Sequence, residues 1–195
     1  MSDEKSSYQQ TFDKHGDSPK ALQWKDYRSA VLRYKQLLGD IDPQSKTILD
    51  VGCGMGDLLP FLYTKSTEFD YLGVDVVSEF IEIAQKRYEG HKFKLLNPFK
   101  ENVGQTFDLV IVCGALNANT PNWLEERKHA ISKLYSLASE ALAFNMAGSF
   151  KPETTGKRVS QADVQQILKF CTSLTPKIIL KTHYHPKDFT IVMFK

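Results

Sequence analysis

Cysteine is scarce in this sequence: three residues, Cys53, Cys113 and Cys171, among 195. They are widely spaced, odd in number and set within apolar segments, which argues against both a disulfide framework and a C-x-x-C metal site. Reduced, mostly buried thiols in a cytosolic protein are the expectation, with no metal. A surplus of one charge is also missing. The 25 basic and 23 acidic side chains leave a formal net charge of +2, which removes any bulk electrostatic case for nucleic acid. No apolar run approaches the ~20 residues that span a bilayer. The N-terminal stretch MSDEKSSYQQTFDKHGDSP lacks the apolar core of a signal peptide. Repeats and low-complexity linkers are absent too. A soluble, cytoplasmic protein without membrane association is expected.

What is present suits one globular domain with a buried core, since 42% of residues are hydrophobic and 25% charged. Residues 1 to 18 are polar and read as irregular or partly helical. From Pro19 to about Leu38, apolar residues recur near helical spacing at Leu22, Tyr27, Val31, Tyr34 and Leu38, and Asp42-Pro43 breaks that helix. Beyond it, β-branched runs alternate with helical patterns. The strands are expected at 47–51, 71–76, 92–96, 107–113 and 141–146. The helices are expected near 56–65, 78–88, 121–138 and 160–171. Ser160 is the expected cap of the last helix, with Asp163 in its first turn. Two further strands, 177–184 and 189–195, flank the polar turn HPKD and form a hairpin.

Five strands alternating with helices require a mainly parallel sheet covered on both faces, to which the hairpin adds an antiparallel strand. Such sheets bind ligands outside the C-terminal strand ends, where strand order reverses. The first of these ends is ILDVGCGMGDLLPFL, residues 48–62. Its glycines follow G-x-G-x-G, with Asp57 where a dinucleotide fingerprint has its third glycine, and no P-loop lysine follows. Asp50 is awkward beside a pyrophosphate, because it adds negative charge to negative charge. An acid there suits a ligand with an amine and no phosphate.

The run D-V-G-C-G-M-G-D resembles the first motif of the class I S-adenosylmethionine (SAM)-dependent methyltransferases. The resemblance implies a Rossmann-like doubly wound seven-stranded α/β sheet, order 3-2-1-4-5-7-6, with strand 7 antiparallel. It assigns the amino-acid half of the cofactor to Asp50, Gly52, Cys53, Gly54 and Gly56. Asp75, nineteen residues past Gly56 at the end of the second strand, takes the ribose hydroxyls, with Val76 beside it. The segment KLLNPF resembles the family's adenine-binding stretch and implicates Asn97 and Pro98, with Phe99 flanking the ring. Asn97 stands where the family often has Asp, and an amide can still accept from the adenine amine. FDLVIVCGALN resembles the strand-four motif, so Cys113, Gly114 and Leu116 line the cofactor's back and floor. The four signals lie in the family's order across residues 45–146.

The acceptor is less explicit, because alignment and water exclusion carry methyl transfer and a base is optional. The amine-directed nucleic-acid motif [DNS]-P-P-[YFW] is missing from CGALN. Cys113 lacks the preceding proline of a pyrimidine-C5 nucleophile. Acceptor-facing positions are Asn117, Asn119 and Asn145. The segment TFDKHGDSPKALQW is too aromatic for a disordered tail; by resemblance, Tyr8, Phe12, His15 and Trp24 close the pocket as a lid. His15 is a candidate base by its near-neutral pKa, while Asp17 and Ser18 equally suit a helix cap. His183, Tyr184 and His185 cluster at the hairpin turn without a third ligand for a metal.

The expected organisation is a lid or helical segment over residues 1–40 packed on a methyltransferase domain over 41–195, one structural unit overall. The expected function is methyl transfer from SAM to an O or N atom of a small molecule, giving S-adenosylhomocysteine (SAH). A protein or RNA methyltransferase and a non-catalytic SAM-binding module are the alternatives. The chain is expected to act as a monomer or homodimer.

Overall fold

The computed structural model describes the backbone of residues 2–152 and 159–195, and side chains from residue 7 onward. Six helices and eight strands are described: α1 (Ser2–His15), α2 (Tyr27–Leu37), β1 (Lys46–Val51), α3 (Leu59–Tyr63), β2 (Phe69–Asp75), α4 (Ser78–Arg87), β3 (Lys92–Leu95), β4 (Phe107–Cys113), α5 (Trp123–Leu137), β5 (Ala138–Ser149), β6 (Ala162–Asp163), α6 (Val164–Leu174), β7 (Ile178–Lys181) and β8 (Asp188–Phe194). The main sheet runs β3-β2-β1-β4-β5-β8-β7. β1, β2, β3, β4 and β5 pair in parallel, and β8 is antiparallel to both β5 and β7.

This is the order expected from the sequence, with the last two labels raised by one. The extra strand is the two-residue β6, which pairs with the end of β5 through Gly148 and Ser149. It is too short for hydrophobic alternation to reveal it. The central strands are buried through most of their length, with Ile48, Leu49, Val110, Ile111 and Val112 all at most 1% exposed. Strands covered on both faces read as continuous apolar runs rather than alternating ones, which is why their positions were legible.

The N-terminal region departs from the sequence reading. Residues 2–15 form a full helix, α1, and the helix expected from Pro19 begins only at Tyr27. Asp26 caps it by accepting the Ser29 N–H at 2.8 Å. The apolar residues before it, Ala21 and Leu22, pack with Met55, Val77 and Phe80 from a compact turn. Ser18 Oγ donates to the His15 carbonyl. Asp17 pairs with Arg87 of α4. The α6 cap is also shifted. Asp163, not Ser160, accepts from the helix, at Gln165 N. Ser160 is fully buried and gives its hydroxyl to Asn119 Oδ1. A residue that finds a tertiary partner is lost to local capping.

Candidate active site

At the C-terminal ends of β1, β2 and β4 the sheet opens into a cavity of about 520 Å³. β1 delivers Asp50, and the chain then turns sharply through Gly52, whose φ of +72° a side chain rarely adopts. The N–H groups of Gly52 and Cys53 both donate to the Val74 carbonyl, at 2.9 and 3.1 Å, locking the turn to β2. β2 delivers Asp75, 9% exposed. One of its oxygens accepts the Gly54 N–H at 2.9 Å, and the other accepts Val76 N–H at 2.7 Å and Val77 N–H at 3.0 Å. The carboxylate thus joins the glycine turn to the start of α4. Three of its roughly four lone-pair sites are used, leaving about one for a ligand where the sequence reading asks for two hydroxyls. Burial raises its pKa, and the three backbone donors pull it back.

Asp50 is deeper, 2% exposed. Tyr71 donates its hydroxyl to Asp50 Oδ2 at 2.7 Å. Among the described residues no donor reaches Oδ1. Desolvation lifts the carboxyl to about 7, with Asp75 and Asp57 adding to the rise and Tyr71 opposing it. A buried acid facing a cavity, short of donors and close to neutrality, is relieved by a cation entering that cavity. That chemistry fits an α-ammonium.

Gly52, Cys53, Gly54, Val76, Asn97, Pro98, Cys113 and Gly114 line the same cavity as Asp50 and Asp75. Asn97 Oδ1 already accepts the Phe99 N–H at 3.0 Å, so its side-chain NH2 is the freer end. Two of the expected residues lie off the cavity wall. Gly56 is backed by Tyr88 and Phe93, which a Cβ there would strike. Leu116 is 4% exposed in the core and borders a separate pocket of about 130 Å³ under α5. A contiguous motif marks a stretch of chain, but a turn points its successive residues in different directions.

The acceptor-facing expectations divide in the same way. Asn117 lines the cavity, with Oδ1 accepting the Ala147 N–H. Asn145 does not line it. It is 1% exposed and holds Gly114 N–H at 2.7 Å from behind the wall. Asn119 takes the Ser160 hydroxyl. His15 ends α1 outside the cavity, while Tyr8, Leu22, Gln23 and Trp24 form its N-terminal side. Phe12 packs edge-on to Phe80. Desolvation raises the Cys113 thiol far above its ordinary range, which keeps it protonated and unsuited to nucleophilic attack.

Two features went unread in the sequence, and the role of a third, the hairpin cluster, was missed. Tyr34 and Lys100 line the cavity, Tyr34 having served only as one apolar position of a helix. Arg33 lies over the Trp24 ring, 5.1 Å from its centroid, and pairs with Asp188 of β8. His185 Nδ1 stands 3.0 Å from the same carboxylate, and Tyr184 OH meets Thr190 Oγ1. The hairpin cluster is therefore an anchor for the N-terminal segment. Among the described residues no group of His, Cys, Asp or Glu is arranged to hold a metal.

Residues 49–140 match the family model described as a methyltransferase domain. Over that stretch, just under half of its length, the chain is similar to a methyltransferase domain. Its fold is that of the class I SAM-dependent methyltransferases, and such a domain takes SAM as methyl donor. The chain is 24% identical over 166 residues to a Mycobacterium tuberculosis protein provisionally named a methyltransferase, covering 82% of this chain and 98% of that one. It is 28% identical over 67 residues to a provisionally named methyltransferase of Invertebrate iridescent virus 6. That match covers 34% of this chain and 25% of the viral protein. In structure it is similar to the N-methyltransferase NodS from Bradyrhizobium japonicum in complex with SAH. The TM-score is 0.69 at 15% identity, with 98% of each chain covered. No helix among the described residues is long and apolar enough to cross a membrane.

Proposed function

We propose that this methyltransferase transfers the methyl group of SAM to an O or N atom of a small-molecule acceptor held under the N-terminal segment. The observation that carries this is the cavity itself. Its volume of about 520 Å³ falls in the range of small-molecule sites. One wall is the glycine turn, and the other is Tyr8, Leu22 and Trp24. Lys100 is the single Lys or Arg among the described lining residues, which offers little to a polyanionic acceptor.

In this reading Asp50 holds the cofactor's ammonium, Asp75 a ribose hydroxyl, and Asn97 with Pro98 the adenine edge. Bound there, the cofactor supplies a sulfonium-activated methyl group. The protein's own part is alignment and the exclusion of water. Trp24 lies 3.5 Å from where a Gly114 Cβ would stand, and Leu22 2.7 Å from that of Gly54, so the N-terminal segment covers the turn closely. No His lines the cavity among the described residues. The acceptor therefore brings a nucleophile that needs no imidazole base, such as a neutral amine or an acidic hydroxyl. The lid comprises residues 1–40 and the domain beneath it residues 41–195.

The test is a screen of small amines, phenols and carboxylates with SAM, read by SAH release. Turnover by the purified chain supports the proposal. Release of SAH only with protein or RNA acceptors overturns the small-molecule reading, and SAH binding without turnover on any acceptor leaves a binding module.

A further inference from the structure

Tyr34 presents an unusual polar group to the cavity. Its side chain projects from α2, is 5% exposed and packs against Phe61, ring centroids 6.0 Å apart. The residue lines the cavity, and among the described residues its hydroxyl makes no hydrogen bond and is not sealed from solvent. The neighbouring polar side chains are committed elsewhere. Tyr71 serves Asp50, Asp75 serves Gly54, Val76 and Val77, and Asn117 serves Ala147. The Tyr34 ring is buried while its hydroxyl stays open to the cavity, so the phenol is a donor with no partner among the described residues and is available to a ligand.

The position of Tyr34 narrows what completes it. After burial itself, the groups that bear on its phenol are Cys113, Asp57 and Asp50, with Tyr27 of its own helix after them. The first three lie at the ends of β1 and β4 and on the glycine turn, and all of Asp50, Cys113 and Tyr34 line the cavity. Asp75, at the far side of that turn, is not among them. All these influences raise the phenol's pKa, so it stays protonated and is available as a donor. The same end of the cavity thus carries an acceptor for a cation, Asp50, and a fixed neutral donor, Tyr34. An α-amino acid head group has the complementary pair, an ammonium and a carboxylate on one carbon.

We propose that the Tyr34 hydroxyl donates to the α-carboxylate of the cofactor's methionine moiety while Asp50 receives its ammonium. This rests on the SAM reading of the cavity. It makes Tyr34 a binding residue supplied by the N-terminal part of the chain, outside the matched region 49–140. Affinity for the cofactor then depends on α2 being docked.

Three ligands separate the contributions: SAH, its decarboxylated amine analogue, and 5′-methylthioadenosine, which lacks the amino-acid head. Calorimetric titration of wild type and Tyr34→Phe is expected to show about a tenfold or greater loss for SAH alone, as for a hydrogen bond to a charged group. The other two affinities stay unchanged. Phe keeps the packing on Phe61, and a thermal melt of each variant checks this. An equal loss for all three ligands would make Tyr34 a structural residue and overturn the proposal. So would unchanged SAH affinity. A wild-type chain that binds 5′-methylthioadenosine and SAH equally well also overturns it, because the head group would then be unrecognised. If wild type binds none of the three, the SAM reading itself fails.

Discussion

Two carboxylates on adjacent strands, Asp50 and Asp75, carry different burdens. Asp75 is held by three backbone N–H groups and Asp50 by one phenol, so burial tells more on Asp50. Its folded pKa of about 7 lies above the ordinary Asp value of about 3.9. A group that holds its proton more tightly in the fold stabilises it fully at low pH, and that contribution is lost as pH rises through the folded value. Wild type should therefore lose stability relative to Asp50→Asn between about pH 4 and 7, with little further change above. Paired urea melts at pH 4.5 and 8 measure this, and parallel curves would refute it. An ammonium ligand prefers the ionised form, so SAH affinity should rise as pH increases through about 7. The Asn variant should lack that rise. Asp75→Ala should weaken SAH by about a hundredfold or more, read by calorimetry, while the chain still folds. Near-unchanged affinity would remove Asp75 from the ribose assignment.

The N-terminal elements are tied to the last two strands by pairs far apart in sequence. Arg33 of α2 meets Asp188 of β8 across 155 positions, and Lys181 of β7 donates to the Gln36 carbonyl at 2.7 Å. Arg33 and Asp188 are both largely buried, so removing one leaves a charge that is expensive to keep out of water. Arg33→Met should destabilise the chain by about 3 kcal/mol in a urea melt, tempered by His185 beside the same carboxylate. It should also release the Trp24 ring from its cation contact. A variant as stable as wild type would mean that Asp188 finds water or His185 sufficient.

Across the whole molecule, one sheet end receives the glycine turn, the loops after β3 and β4, and a segment from the far N-terminus. Among the described residues the segment docks through side chains, with Tyr8 and Phe12 edge-on to Phe80, Gln9 donating to Glu79 and Asp17 paired with Arg87, so opening would break side-chain contacts and no strand pairing. Ligand binding should then slow amide exchange across residues 2–24. Hydrogen-exchange mass spectrometry with and without SAH checks this, and protection confined to the residues around Asp50 and Asp75 would sink the lid. Regions of low local stability are where such gating is expected.

The sequence by itself determined the main sheet and its order, because the central strands are short apolar runs, while the two-residue β6 escaped it. It determined the glycine turn and Asp75 for a related reason: local backbone geometry and strand-end position are properties of contiguous residues. Gly56 and Leu116 show the limit, since membership of a motif does not say which way a side chain points. Tyr34, Lys100 and the Arg33–Asp188 pair were decided only by tertiary structure. Tyr34 has the spacing of a core residue, and only the packing of α2 against β4, β5 and β8 turns its hydroxyl into a cavity group. The chain's covalent order records neighbours along the backbone, whereas the cavity is made of residues that become neighbours when buried surfaces meet.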